Sequence, residues 1–454
     1  MSELPYGASP YGASLADQAR AAGVIGAGGA GFPTHVKVGA QADTVVANGA
    51  ECEPLLYKDT LLMTHEAARV VAGLRLSMAA VGATRGVLGI KAKRHEAIEA
   101  LRAAVPDDGA IELLLLGDYY PSGDEFELVH AATGRLIPPA GIPLQVGVVV
   151  HNVESLLWLA DAAEGRAVTD KWLTVAGAVA EPKTFVAPLG TPFADLVEFC
   201  GGPTAASPVA LVGGAMMGRI CQDFAADSAV VTRTTGGLIV LDREHALMQR
   251  KLLPEPAKAR IGKSACDQCS YCTELCPRYL LGYDVQPHKV MRSLGFTATG
   301  SENWNQWGLL CCACGICTLY SCPEMLYPKE ACDQAKTDLR ALGIKWTGTG
   351  RELKPHPMAE HRRLPVKKLV GRLGLGDYDV PAPFDAAQPR PRVLRYPLGA
   401  HVGAPAEPLV SVGEAVRRGQ PLAEIPLGKL GARVHAAVDG RVTEVGAMIV
   451  VERD

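Results

Sequence analysis

GVIGAGGAGFPTHVK, Gly23 to Lys37, concentrates glycines at 23, 26, 28, 29 and 31 immediately before a short helical pattern. Glycine takes positive φ freely and has no Cβ to hold a ligand away, and free N–H groups at a helix mouth favour an anion. The stretch therefore reads as a loop that approaches a phosphate-bearing ligand, with a plain tight turn as the alternative. It is not a P-loop, because no Gly-Lys-Ser/Thr follows.

The residues around the loop set the fold class. TVVANG at 44 to 49 and RGVLGIK at 85 to 91 read as buried strands, and His65 to Val81 and His95 to Ala104 as helices. A short helix over Leu15 to Ala22 leads into the loop. Strand alternating with helix predicts a parallel sheet covered on both faces, with ligand at the carboxyl ends of the strands. The pattern continues from Ile111 to Ser155 as two apolar strands flanking a Gly/Pro-rich span.

Four motifs lie along this region in order: the glycine loop with Phe32-Pro33-Thr34 and Lys37; NGAECEPLLYKD, Asn48 to Asp59; Tyr120-Pro121 with Gly123 and Glu125; and Asn152-Val153-Glu154. Together they resemble the flavin-binding domain shared by the NADH-oxidising flavoprotein subunit of respiratory complex I and the RnfC subunit of the Rnf electron-transport complex. The resemblance implies a Rossmann-like domain holding FMN, with NADH stacked on the flavin as electron donor. It implies that Gly26, Gly28, Gly29 and Gly31 wrap the flavin, that Lys37 and Asn48 bond it, and that Phe32 packs near the nucleotide. Glu51, Glu125 and Asn152 would lie at the flavin, and Glu53, the catalytic candidate, on the nicotinamide side. Ala27 and Ala50 depart from the family, standing where complex I has Arg and Asp.

Thirteen cysteines in a secreted chain would suggest disulfides, but here most recur at two-residue gaps, a metal or cluster pattern. Cys266, Cys269, Cys272 and Cys276-Pro277 form the bacterial ferredoxin run, in which the fourth thiolate reaches to the other cluster. Zinc is the alternative, though its sites usually come as two separated pairs. Cys311, Cys314, Cys317 and Cys322-Pro323 repeat the spacing with one extra residue before the last cysteine, and Cys312 leaves the first position open. The pair of runs resembles the helical ferredoxin arrangement, which implies two 4Fe-4S clusters with crossed ligation. One would use Cys266, Cys269, Cys272 and Cys322, the other Cys311, Cys314, Cys317 and Cys276.

The remaining segments complete a multidomain α/β chain. Short strands and turns from Trp172 to Asp242 are similar to the β-grasp (SLBB) domain of the same relatives. They include a hairpin and a helix at TPFADLVEFC with Thr191 as its cap, and Cys200 and Cys221 read as core residues. Tyr396 to Val445, with turns at Gly413, Gly419 and Gly440, resembles an all-β barrel-sandwich hybrid. RnfC carries such a domain at its amino end, and Lys429 reads as an ordinary turn lysine. The expected boundaries are a flexible tail at 1–14, flavin domain 15–165, β-grasp 170–245, cluster domain 251–340, linker 351–392 and sandwich 393–454.

At 454 residues several domains are expected, and a formal charge of −3 without a basic run gives no electrostatic case for nucleic acid. No eighteen-residue apolar run and no signal-peptide pattern is present, so a soluble cytoplasmic protein is expected. In domain order the chain most resembles the cobalamin-reductase family of propanediol-utilisation microcompartments. That resemblance implies NADH-driven reduction of cobalamin, in or attached to a microcompartment, with a shell protein and an adenosyltransferase as partners. An RnfC-like subunit reducing a protein partner is the second reading.

Overall fold

The computed structural model describes residues 14–295, 305–348, 350 and 352–454. The expected tail at 1–14 lies outside them except for Ser14, which caps the helix Leu15–Ala21 by accepting from the Asp17 N–H.

The flavin-type region runs through β1 (Thr44–Gly49), β2 (Arg85–Lys91), β3 (Ile111–Leu116), β4 (Tyr119–Tyr120) and β5 (Val148–Asn152). Four of these form one parallel sheet in the order β3-β2-β1-β5. Its central strands are apolar on both faces, as a sheet sandwiched between helices requires. Val45, Ala47, Leu88 and Ile90 pack into a core with Val70, Leu74 and Leu156 from the helices Ala67–Val81 and Val153–Ala163. Val46, Val87 and Val148 face Leu128 and Val129 on the other side.

Two helices differ from expectation. Lys58–His65 is separate from Ala67–Val81, because Glu66 leaves the helical region at φ −121°. Glu125–Thr133 occupies the Gly/Pro-rich span: the Asp124 carboxylate accepts from Phe126 and Glu127 N–H to start it, and Gly134 at φ +72° ends it.

The second region has β6 (Asp170–Gly177), β7 (Lys183–Pro188), β8 (Pro208–Val212), β9 (Arg219–Cys221) and β10 (Gly237–Asp242) in the order β7-β6-β10-β8-β9. The β6–β7 hairpin is as expected, and Cys200 and Cys221 are buried core residues. Thr191 is not the helix cap. Its hydroxyl donates to the Pro188 carbonyl, and Pro192 stands at the cap of Phe193–Phe199.

Beyond the cysteine region, the connector packs as a strap. β11 (Leu364–Pro365) pairs antiparallel with β4, and Leu369, Leu373 and Leu375 of the following segment are buried. The carboxyl-terminal unit contains β12 (Val393–Pro397), β13 (Glu407–Pro408), β14 (Ala415–Val416), β15 (Pro421–Glu424), β16 (Val434–His435), β17 (Gly440–Val445) and β18 (Met448–Arg453). They form two small sheets, β12-β18-β17-β14 and β13-β15-β16. Gly413 and Gly419 turn at positive φ, whereas Gly440 begins a strand, paired with Val416 and Arg453.

One buried charge cluster joins the first two regions. The Glu154 carboxylate, fully buried, accepts from Lys58 Nζ at 3.0 Å, from Lys171 Nζ and from the Trp172 backbone N–H at 2.9 Å. Burial works against the Lys58 charge, but Asp59 and Glu154 more than offset it and raise its pKa. Lys171, with burial dominating and Glu154 opposing it, is held down to about 8. Removing one partner of such a group leaves uncompensated charge in the interior. Replacing Glu154 with Ala should therefore cost on the order of 3–5 kcal/mol. Breaking the exposed Arg85–Glu112 pair should cost less than about 1 kcal/mol. Urea denaturation followed by tryptophan fluorescence compares the two.

Candidate functional site

The chain passes from β1 outward to β2 and β3, then returns to place β5 on the opposite side of β1. That reversal opens a crevice at the carboxyl ends of β1 and β5, where ligands bind in sheets of this type. Asn48 and Asn152 stand side by side there, in register on the two strands.

The glycine loop closes over the same end. Gly26 N–H donates to Phe32 O at 2.8 Å and Gly31 N–H to Gly26 O at 3.3 Å, so the loop forms a ring with half-buried Phe32 at its closure. Ala27 N–H donates to Ser155 Oγ at 2.8 Å, and that hydroxyl donates onward to Ile25 O. Gly29 lies at φ +107° with no atom within 4 Å of where a Cβ would stand, so its open side is a cradle that a side chain would enter. Gly28 packs against Asn152, and Gly31 at φ +66° lies close to Thr234.

The other expected flavin residues surround this crevice, several already hydrogen-bonded. Asn48 Nδ2 donates to Gly123 O at 2.9 Å, tying the second motif to the third. Asn152 Oδ1 caps its helix by accepting from Glu154 N–H, and Nδ2 donates to Asp59 Oδ2 at 3.0 Å. Glu51 accepts from the Asp59 and Thr60 N–H groups at the start of Lys58–His65. Lys37 Nζ donates to Val150 O at 2.8 Å with its other protons to spare; burial lowers its pKa, and Glu125 opposes that. Burial raises Glu125, and Lys37 pulls it back. A glycine loop open at Gly29, beside the partly buried Lys37 and Glu125 and two strand-end asparagines, fits a planar ligand carrying a phosphate.

Glu53, expected on the nicotinamide side, points to the second region. Its carboxylate accepts from Met216 N–H at 2.8 Å and Met217 N–H at 2.9 Å. A Cβ on Gly214, at φ +143°, would collide with that carboxylate, so the loop Gly213–Gly218 depends on glycine to let Glu53 in. Burial raises the Glu53 pKa against the pull of the two N–H groups. Lys58, Asp59 and Glu154 lie inside the second and fourth motifs with no role expected of them, and Ser155 and Lys171 lie outside any motif. They support the loop from behind, and no spacing rule marks them.

The first cysteine run folds around a small cavity lined by Cys266, Cys269, Cys272, Cys322 and His288. Cys269 is exposed, and Gln268 Nε2 donates to Cys266 Sγ at 3.1 Å. Cys276, the last cysteine of the first run, lies beside the second: burial and then the thiols of Cys312 and Cys311 raise it well above its ordinary pKa. Cys317 is raised by burial and then by Cys311, Cys272 and Cys276. Two backbone details relate the runs. Gln268 and Ser270, two and four residues after Cys266, have φ +63°; Ala313 and Gly315, two and four after Cys311, have φ +57° and +82°. The repeated conformation aligns Cys311 with Cys266, and Cys312 with Asp267. Ala313 N–H also points at Cys311 Sγ, at 3.3 Å. The extra residue before Cys322 is taken up by a π-helical turn over Cys317–Ser321, the form an inserted residue produces in a helix.

The cysteine region lies against the flavin-type region through both runs. Tyr120 donates to Cys314 O, Arg278 pairs with Asp124 at 2.9 Å and Tyr283 donates to Ile137 O. Met216 lies beside Gly315.

Family models match four successive parts of the chain. They are described as the Nuo51 FMN-binding domain (residues 19–161), the SLBB domain (173–220), a 4Fe-4S dicluster domain (265–327) and the RnfC barrel sandwich hybrid domain (384–454). The chain is 41% identical over 434 residues to the cobalamin reductase PduS of Citrobacter freundii, covering 95% of this chain and 94% of the relative. It is 41% identical over 433 residues to that of Salmonella typhimurium, with the same coverage. To a component of the Na(+)-translocating ferredoxin:NAD(+) oxidoreductase complex of Acetobacterium woodii it is 37% identical over 265 residues, 57% of this chain and 56% of that one. Among the described residues no helix is long and apolar enough to cross a membrane.

Two outcomes are expected from this geometry. Gly29→Val puts a branched side chain into the cradle at a φ it resists, and should abolish flavin binding while iron content stays unchanged. Absorbance of the released flavin and iron analysis measure both. Cys272→Ala and Cys314→Ala should each remove about half of the iron and a different EPR signal, whereas Cys52→Ala, Cys200→Ala and Cys332→Ala should keep all of it after anaerobic purification.

Proposed function

The chain belongs to the family of the cobalamin reductase PduS, and on that premise we propose that it passes electrons from NADH through FMN and two 4Fe-4S clusters to the cobalt of cobalamin, taking cob(III)alamin to cob(II)alamin or cob(I)alamin. It is an oxidoreductase carrying FMN and 4Fe-4S domains. The observation that carries the reading is the extent of the likeness, which runs through all four domains and 95% of the chain. The RnfC-type relative is matched over little more than half of it.

The bound flavin supplies the exchange between the electron pair carried by NADH and the single electrons that clusters accept. The residues of the chain hold and orient. In our assignment Gly26, Gly28, Gly29, Gly31 and Phe32 form the flavin cradle, and Lys37, Asn48, Glu51, Glu125 and Asn152 supply its polar wall. Cys266, Cys269, Cys272 and Cys322 would hold one cluster, and Cys276, Cys311, Cys314 and Cys317 the other. Glu53 would act by keeping the loop Gly213–Gly218 between flavin and cluster regions, so that its loss loosens both. The domain limits given above, residence in a propanediol-utilisation microcompartment, and a shell protein and adenosyltransferase as partners belong to the same proposal.

Stopped-flow absorbance under argon tests it, following flavin bleaching and cob(II)alamin appearance in one mixture. Cys314→Ala should slow cobalamin reduction at least tenfold more than NADH-dependent flavin reduction, and Glu53→Ala should slow both. Cobalamin reduction by the intact protein no faster than by free reduced FMN would overturn the reductase reading in favour of an electron-transfer subunit serving a protein partner.

A further inference from the structure

Tyr120 is buried, and its side chain joins two regions that chain order keeps far apart. Its backbone belongs to β4, held by pairing with Leu364 of the strap and followed at once by the turn whose Gly123 carbonyl accepts from Asn48. Its ring packs in one core with Leu55 and Leu56 of the second flavin motif, Met216 of the interposed loop, and Ile316 and Leu319 within the second cysteine run. Its hydroxyl donates to the carbonyl oxygen of Cys314 at 2.8 Å.

A phenylalanine would fill the same apolar space, so the hydroxyl needs a reason to be there. Burying an O–H is costly without a partner, and this one has a single acceptor. That acceptor needs a donor as well. Cys314 lies between Ala313 and Gly315, both at positive φ, so its carbonyl falls outside any regular helix or strand.

We propose that Tyr120 is a positioning residue for the cluster held by the second cysteine run, its O–H bond to the Cys314 carbonyl both fixing the loop 311–317 against the flavin segment and raising that cluster's reduction potential. The proposal rests on the reading of this chain as a flavin and iron-sulfur reductase. The physical link is the dipole: an O–H aimed at a peptide oxygen next to a ligand sulfur withdraws electron density and favours the added electron, as hydrogen bonds around clusters do. The site of the first run has different donors: Gln268 Nε2 to Cys266 Sγ at 3.1 Å and Leu326 N–H to Cys322 Sγ at 3.4 Å. Cys266 and Cys322 pack with Val290, Met291 and Leu326, a core that does not include Tyr120.

The test is an anaerobic redox titration monitored by EPR, poised with dithionite and mediators so that neither NADH nor cobalamin takes part. Tyr120→Phe should retain wild-type flavin and iron. It should lower the potential of the signal lost in Cys314→Ala by at least a threefold change in the one-electron equilibrium, about 28 mV at 59 mV per tenfold, and leave the other signal in place. Tyr119→Phe should leave both unchanged. Site-specific 3-fluorotyrosine at position 120, a stronger donor of the same shape, should move the same potential upward. Unchanged potentials in Tyr120→Phe, equal shifts of both signals, or loss of iron from both sites would overturn the proposal while leaving the reductase reading intact. A wild-type protein without flavin and iron would instead sink that reading and this proposal with it.

Discussion

Everything near the crevice depends on one carboxylate that cannot reach water. Glu154 begins the helix after β5, and its two oxygens take a lysine from the helix after the second motif, a lysine from β6 and a backbone N–H of β6. Three stretches far apart in sequence therefore meet at one charge. The low dielectric that makes an unpaired charge costly also makes this arrangement specific. Lys171 reaches further, toward the Ala27 carbonyl in the glycine loop. The loop is positioned from behind by a charged cluster and by Ser155, which frees its open face.

The same economy of contacts governs the approach of the cysteine region. Glu53, Met216 and Gly315 form one line from the second motif through the β-grasp loop to the second cysteine run, and Tyr120 forms another. The β-grasp domain works here as a spacer whose loop, rich in glycine, is thin enough to admit a carboxylate on one side. Lys251 closes that line by donating to Met216 O, and burial lowers its pKa to about 8 against the pull of Glu53.

Much of this was legible because it rests on local rules. The strands at 44–49 and 85–91 and the two cysteine runs are patterns with a fixed period, and the structure has those strands at the expected residues. The four domain types read from the sequence are those the family models match. Other features escaped because their cause lies elsewhere in the chain. Thr191 has the look of a cap, yet Pro192 takes that position and the Thr191 hydroxyl turns back to donate to the Pro188 carbonyl. The helix Glu125–Thr133 was hidden by the glycines and prolines around it, although Asp124 marks its start. Glu154 stands in the fourth motif, but its pairing with Lys171 carries no signal, since a buried ion pair is defined by three-dimensional proximity. The one-residue irregularity before Cys322 was visible as a number, but only the π-turn gives it a shape.

The carboxyl-terminal sandwich touches the glycine loop directly, with Val402 N–H donating to Gly31 O and Arg233 bridging Gly23 O and Arg433 O beside it. Translation proceeds from the other end, so the ribosome releases the loop almost a whole chain length before the segment that covers it. At about 5–20 residues per second the interval is on the order of tens of seconds. The contacts at Gly31 and Gly23 can therefore form only after Val402 and Arg433 have been synthesised, long after the loop itself.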